Sequence, residues 1–319
     1  MSAPEPPWPR SRRRCSTSTA ATPPTWATGR SSGATNGEHP PGEEHTVCGR
    51  YVIARTPGQL ALPFDARVDD SVGDAVGPNW NVAPTHTVPV LLERLSEDGQ
   101  LVTELHAARW GLVPSWAKEI SIGSKMFNAR SETVTEKPSF RSAVAARRCA
   151  IPADGYYEWK APETGKGRKQ PYFVHPQDGS EIWFAGIYEW WRIPEDASDA
   201  VREGQTRAGK NAGNDGTAGH WLLSCSILTR EAPSPGDENP HLAQLGALHN
   251  RLPMGMTTDF AREWIAPEKD KALAAALVER AVAESLEVAA EWRMHPVTTD
   301  VGSVSSTGPR LVKPLETLL

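Results

Sequence analysis

The chain has 319 residues, 34 Lys and Arg against 39 Asp and Glu, a formal net charge of −5 and 39% hydrophobic residues. That content supports one or two globular domains, and the acidic balance excludes a uniformly basic nucleic-acid binder, so any such contact rests on a local basic face. Four widely separated cysteines (Cys15, Cys48, Cys149 and Cys225) without a CxxC pair exclude a disulfide framework and a zinc knuckle, and no apolar run has the length of a membrane span. A reducing, cytoplasmic setting with no membrane partner, no metal and no cofactor is the expectation.

Residues 1–47 are rich in Pro, Ser, Thr and Gly and lack periodicity. Such a segment cannot offset its ordering entropy by burial, so it reads as a disordered or untranslated leader. Arg12-Arg13-Arg14 is followed by Ser, Thr, Ala and Pro rather than an apolar stretch, which excludes an export signal. Val47, directly ahead of a well-formed domain, reads as a GTG initiator codon. Methionine removal before a small residue then exposes Cys48, and residues 48–319 form one catalytic domain.

Within that domain, 51–55, 87–93 and 101–107 read as strands, the first two joined by a Gly/Pro-punctuated connection that ends in Asn79-Trp80-Asn81-Val82-Ala83-Pro84. An aromatic loop, Arg109 to Trp116, precedes Phe127–Thr133 and a short helix over 139–147. Cys149 to Trp159 reads as strand, turn and strand, with Pro152–Gly155 as the turn. Segments 172–175, 181–188 and 220–229 are β-branched and aromatic, as paired strands require, and 194–219 is a charged Gly/Asn/Asp-rich surface insertion. Thr258-Asp259 caps a helix through Trp264, and a second helix covers 270–290. Many strands with a few late helices make an α+β domain.

An N-terminal Cys48 carries an α-amine and a thiol two carbons apart. The amine titrates near neutrality and the thiol about one unit higher, so both are partly nucleophilic at cellular pH. With an aldehyde the pair closes a thiazolidine; with an acyl carbon it acts as an N-terminal nucleophile. As an internal residue, Cys48 is instead a buried thiol opening a strand. Either chemistry needs a proton shuttle. Glu158, in Gly155-Tyr156-Tyr157-Glu158-Trp159, is a carboxylate among aromatics, a setting that suits a general acid, or else an outward-facing strand residue. His249, in Leu248-His249-Asn250-Arg251-Leu252, moves protons at neutral pH or serves structure. Asn128 and Arg130 flank Ala129 at strand spacing, as a site pair or a polar edge. Arg50 is two residues from Cys48, and Trp110, Trp116, Tyr156 and Trp159 are candidate stacking platforms for bases.

Taken together, these blocks resemble the SOS-response-associated peptidases, also described as abasic-site processing proteins. The match is carried in order by Cys48-Gly49-Arg50-Tyr51, Trp80-Asn81-Val82-Ala83-Pro84-Thr85, Arg109-Trp110-Gly111-Leu112-Val113-Pro114, Phe127-Asn128-Ala129-Arg130-Ser131-Glu132-Thr133, Arg148-Cys149 with Pro152-Ala153-Asp154-Gly155-Tyr156-Tyr157-Glu158-Trp159, His249-Asn250-Arg251-Leu252-Pro253 and His295-Pro296-Val297. The resemblance implies a mixed, largely antiparallel sheet closed into barrel-like halves with a positive groove. It implies a covalent thiazolidine between Cys48 and an abasic site in single-stranded DNA, with Asn128 beside the ring, Glu158 as acid and base and His249 as proton donor. Implied DNA contacts are Arg50, Asn81, Pro84, Trp116 and Arg130. A monomer on damaged single strands of the nucleoid follows, with the replication machinery as a further partner. Three departures stand out: Ser115 where some members have a second aromatic, serines across Val301–Gly308 where asparagines are common, and a longer insertion at 194–219. Two other readings use the same residues, a cysteine (auto)peptidase and a single-stranded DNA-binding module without turnover.

Overall fold

The computed structural model describes residues 49–96, 98–162, 167–194 and 221–315. Cys48, the leader 1–47 and residues 195–219 of the insertion lie outside them. Fourteen strands are described, beginning with β1 (Arg50–Ile53), β2 (Arg67–Val68), β3 (Asn79–Val82), β4 (Thr87–Leu95), β5 (Leu101–Trp110), β6 (Asn128–Arg130) and β7 (Arg148–Ala153). They continue with β8 (Gly155–Lys160), β9 (Gln170–Pro176), β10 (Ile182–Arg192), β11 (Trp221–Glu231), β12 (Arg251–Pro253), β13 (Gly255–Met256) and β14 (Trp292–Pro296). Five α-helices accompany them: α1 (Pro57–Ala61), α2 (Arg141–Ala146), α3 (Pro240–Leu248), α4 (Thr258–Ile265) and α5 (Lys271–Ala289).

β5, β4, β7, β10 and β11 form a ring of neighbours, closed by a parallel pairing of β11 with β5 at Ser224↔Arg109 and Cys225↔Trp110. A ring this small has room inside only for side chains. Its strands are accordingly buried in continuous runs, Val88 to Leu92 and Ile182 to Tyr188, rather than in alternation. The other half is an open antiparallel sheet in the order β14-β9-β8-β1-β3. Because side chains alternate along a strand, β1 and β8 serve two cores: Tyr51 and Tyr156 join the ring's core, whereas Val52 and Tyr157 pack with Val297, Val301, Leu311 and Val312 of the C-terminal segment. The class is α+β, mixed and largely antiparallel.

β7 and β8 are one continuous path between the two halves. Pro152 and Ala153, expected in a turn, belong to β7 and face Trp183 and Ile182 of β10. Only Asp154 interrupts the strand. Its N–H donates to Val52 O (2.8 Å), and its carboxylate accepts from Ala54 N–H and pairs with Arg55. Gly155 follows because a Cβ there would lie 2.5 Å from the Phe173 ring and the Val174 carbonyl.

The helices lock the outside of the ring. In α4, Phe260, Ala261, Trp264 and Ile265 form the buried stripe, and Trp264 Nε1 donates to the carbonyls of Cys149 (3.1 Å) and Gly186 (3.0 Å). Its cap is Thr257, one residue earlier than the sequence suggests, with Oγ1 accepting from Phe260 N–H. Arg148 is 2% exposed and donates to the carbonyls of Val144, Ala145, Trp264 and Ala266 at 2.7–3.2 Å, so one guanidinium satisfies the ends of α2 and α4 together. Arg148→Met leaves those carbonyls without their donor. The expected cost is about 3 kcal/mol in urea unfolding; a loss under about 1 kcal/mol would mean water replaces the guanidinium.

Candidate functional site

The site grows from the open start of β1. Arg50 pairs with Tyr157 and Tyr51 with Tyr156, so Glu158 lies one residue beyond the last pair, beside the point where the chain enters β1. Glu158 is 4% exposed, on the same side of β8 as Tyr156, and its Oε1 accepts from Trp159 N–H at 3.1 Å. The outward-facing alternative is thereby excluded.

Trp110 links Tyr51 of β1 to Phe127, the residue before Asn128. That ring, fully buried at the end of β5, meets Tyr51 edge-on at 4.9 Å and Phe127 at 5.6 Å, and its Nε1 donates to Phe127 O at 2.9 Å. Asn128 then opens β6, which runs parallel to β11 with Asn128 opposite Ile227 and Arg130 opposite Thr229. Ala129 is buried, Asn128 half-buried and Arg130 exposed, the alternation expected of two polar residues sharing a face.

His249 follows α3. Asn239 caps α3 by accepting from His241 and Leu242, Pro240 takes the first turn, and the helix stops at His249, whose backbone is extended (φ −155°, ψ 152°). α3 packs against β8, the strand that carries Glu158. His249 Nδ1 accepts the Arg251 N–H at 3.0 Å. A backbone N–H can only donate, so Nδ1 is unprotonated and the neutral ring carries its hydrogen on Nε2. An imidazole held in this tautomer is a proton donor at one defined atom.

Two further residues fix this frame. Arg251 forms a bidentate pair with Glu132 (2.7 and 2.9 Å) and donates to Thr229 O (2.8 Å), while Glu132 also accepts from Glu231 N–H. Burial alone would raise the Glu132 carboxyl; the hydrogen bonds and charge of Arg251 outweigh it and hold it below the usual carboxylate range. Both residues fall within the family's blocks, where neither carries an expected role. Their signal was opposite charge at matching spacing, two residues after Arg130 and two after His249.

The remaining expected contacts are disposed differently. Arg50 is half-buried and donates to Gly302 O at 3.3 Å. Asn81 is 1% exposed, and its Nδ2 donates to the carbonyls of Ser303 (2.8 Å) and Ser306 (3.0 Å), so its side chain shapes the 302–306 loop. Pro84 is half-buried in the β3–β4 turn. Trp116 is 58% exposed. Its loop is anchored at the base, where Gly111 has φ 135° and a Cβ would lie 2.5 Å from Gly123 O, and at its end, where Ala117 O accepts from Trp191 Nε1 (2.7 Å). Trp110 and Tyr156 lie in the core and are not stacking platforms; Trp159 is half-buried.

Cys149 and Cys225 are wholly buried, and burial pushes both thiols well up, which removes them as nucleophiles. Among the described residues no His, Cys, Asp and Glu side chains gather as a metal site, and no helix is long and apolar enough to cross a membrane.

A closed β ring joined to an open antiparallel sheet, with a buried carboxylate beside the entry to β1, defines an α+β domain. The chain belongs to the SOS response associated peptidase (SRAP) family, whose model matches residues 47–304. It is 30% identical over 271 residues to the abasic site processing protein YoqW of Bacillus subtilis, a match that covers 84% of this chain and 99% of that one. The abasic site processing protein HMCES of Gallus gallus is 29% identical over 265 residues, covering 75% of this chain and 67% of its own. Among solved structures, a Bacteroides thetaiotaomicron protein superposes with a TM-score of 0.60 at 21% identity, covering 84% of this chain and 100% of that one; at that identity the likeness concerns the fold.

Proposed function

We propose that this protein senses abasic sites in single-stranded DNA and traps them covalently through Cys48 as its first residue. The observation that carries the reading is the burial of Glu158 beside the entry to β1, two residues after Cys48; the family resemblance adds Asn128 and His249 to it. The α-amine adds to the C1′ aldehyde of the ring-opened deoxyribose and water leaves, giving an imine. The sulfur then adds to the imine carbon, its proton passes to nitrogen, and a five-membered thiazolidine closes. Glu158 moves the protons of sugar opening and imine formation, the Nε2–H of His249 supplies the proton to departing oxygen, and Asn128 steadies the adduct beside it. Arg50 and Arg130 meet phosphates, and Trp116 offers a face for an unpaired base, worth about 1–3 kcal/mol when so used.

Supporting this reading are the relatives' names as abasic site processing proteins, the family match that opens at residue 47, and the burial of Cys149 and Cys225. The family's name favours one alternative, a cysteine peptidase that removes its own leader with the same residues. Protein beginning at Cys48, incubated with a single-stranded oligonucleotide carrying one abasic site, is expected to give a shifted band on a denaturing gel that Cys48→Ser loses. Absence of the band from the unaltered protein sinks the proposal. Removal of the leader without methionine aminopeptidase, read by intact mass, would favour the peptidase.

A further inference from the structure

The β3–β4 turn holds a donor that none of the expected contacts includes. His86 N–H donates to Ala83 O at 3.1 Å, and its ring folds back over the turn so that Nδ1 accepts the Ala83 N–H at 3.3 Å. Nδ1 is therefore an acceptor, and the neutral ring carries its hydrogen on Nε2, away from the turn. The residue before it, Thr85, has φ 78°, a conformation that costs a β-branched residue about 1–3 kcal/mol. It is held by Thr85 N–H donating to Trp110 O (2.7 Å) and by Arg109 donating to Thr85 O (3.1 Å).

Among the described residues, the surroundings of this ring are positive and uncompensated. Arg50 is near enough for its charge, after burial, to lower the His86 pKa. Burial pushes the guanidinium pKa of both Arg50 and Arg109 down, with no carboxylate among the described residues acting on either. Both Nε atoms are buried and have no hydrogen-bond partner among the described residues. Among those residues no carboxylate forms an ion pair with Arg50, Arg109 or His86. Half-buried donors of one sign, with their Nε atoms unmet and no carboxylate among the described residues paired to them, complement an anion.

We propose that the Nε2–H of His86 donates to a phosphodiester oxygen of the bound strand, the same phosphate group that Arg50 meets, so that the turn positions the backbone next to the lesion. This rests on the reading of the protein as a single-stranded DNA binder. A neutral donor adds a directed hydrogen bond without releasing a counterion, whereas each cation on a single strand adds about 0.7 to the salt slope.

Two substitutions separate the ligand role from the turn. In His86→Asn, Oδ1 replaces Nδ1 and keeps the turn's acceptor but removes the distal donor. In His86→Gln, the amide N–H takes the place of Nε2–H. The probe is a single-stranded oligonucleotide carrying a tetrahydrofuran abasic analogue, which has no aldehyde and cannot react; the protein is the chain as its own gene produces it. His86→Asn is expected to weaken binding about tenfold with its unfolding midpoint and salt slope unchanged, and His86→Gln to recover most of the affinity. Equal binding by His86→Asn and the unaltered chain overturns the assignment. So does a salt slope lowered by about 0.7, which would mean a charged contact, or a loss that follows a lowered unfolding midpoint and is not recovered by His86→Gln. Failure of the unaltered chain to bind the probe overturns both this and the DNA reading, while adduct formation on a true abasic site with His86→Asn binding normally overturns this one alone.

Discussion

Protein retaining even one residue ahead of Cys48 is expected to form no heat-stable adduct with an abasic single strand. The reason is elementary. An internal nitrogen is an amide, with its lone pair delocalised into the carbonyl, and it cannot condense with an aldehyde. The thiol alone gives a hemithioacetal, which reverts on heating. Only a primary amine and a thiol on the same residue reach the ring, and an α-amine titrating at about 7.7–8.0 is substantially unprotonated at slightly alkaline pH. The two halves of the reaction separate in Cys48→Ser made with a free amine: the imine still forms and borohydride reduction traps it, but the heat-stable band is lost. The measurement is a denaturing gel of three proteins, one starting at Cys48, one with a single residue ahead of it and Cys48→Ser, each with and without reductant. A heat-stable band from the extended protein would mean that the link is not a thiazolidine.

How far the residues alone reached depends on the kind of signal. Long strands such as β4, β10 and β11 were legible because β-branched and aromatic residues ran between turn signals, and α4 and α5 because their apolar stripes repeat at helical spacing. Some short elements were not. α1 carries a reciprocal cap between Thr56 and Gln59, and α3 an Asn239-Pro240 start, but each is too short for periodicity to emerge. β3 and β14 owe their extended form to partners, β1 and β9, that lie distant in sequence. Pro152 misled because proline marks turns in isolation, whereas here it enters a strand that crosses from one half of the molecule to the other. Closure of the ring rests on the parallel pairing of β5 with β11, which joins residues more than a hundred apart; local pattern carries no trace of it, so only the family resemblance pointed there. The same limit applies to the site. Glu158, Asn128 and His249 were each ambiguous alone, and Asn81 was expected only as a DNA contact because nothing local shows that its amide donates to the carbonyls of Ser303 and Ser306.

Glu158→Gln is expected to slow adduct formation by roughly 10²–10⁴-fold, the span of a lost general acid and base, while leaving the protein folded. The substitution is chosen for what it keeps. Gln has the same shape, fills the same buried position and still presents an oxygen to the Trp159 N–H, so packing and strand geometry persist. What it cannot do is give up and retake a proton as the sugar opens and the carbinolamine loses water. Burial makes the difference large, because a carboxyl shielded from solvent acts on the developing charge at low dielectric and cannot be replaced by free water. His249 sharpens the test. If its Nε2–H and Glu158 serve the same proton-transfer sequence, the His249→Ala and Glu158→Gln losses are not additive, and the double variant is little slower than the worse single one. Single-turnover rates on an abasic oligonucleotide, with urea unfolding on the same samples, decide the matter: an unchanged rate in folded Glu158→Gln removes the carboxyl from the chemistry, and strictly additive losses would mean the two groups act on separate steps.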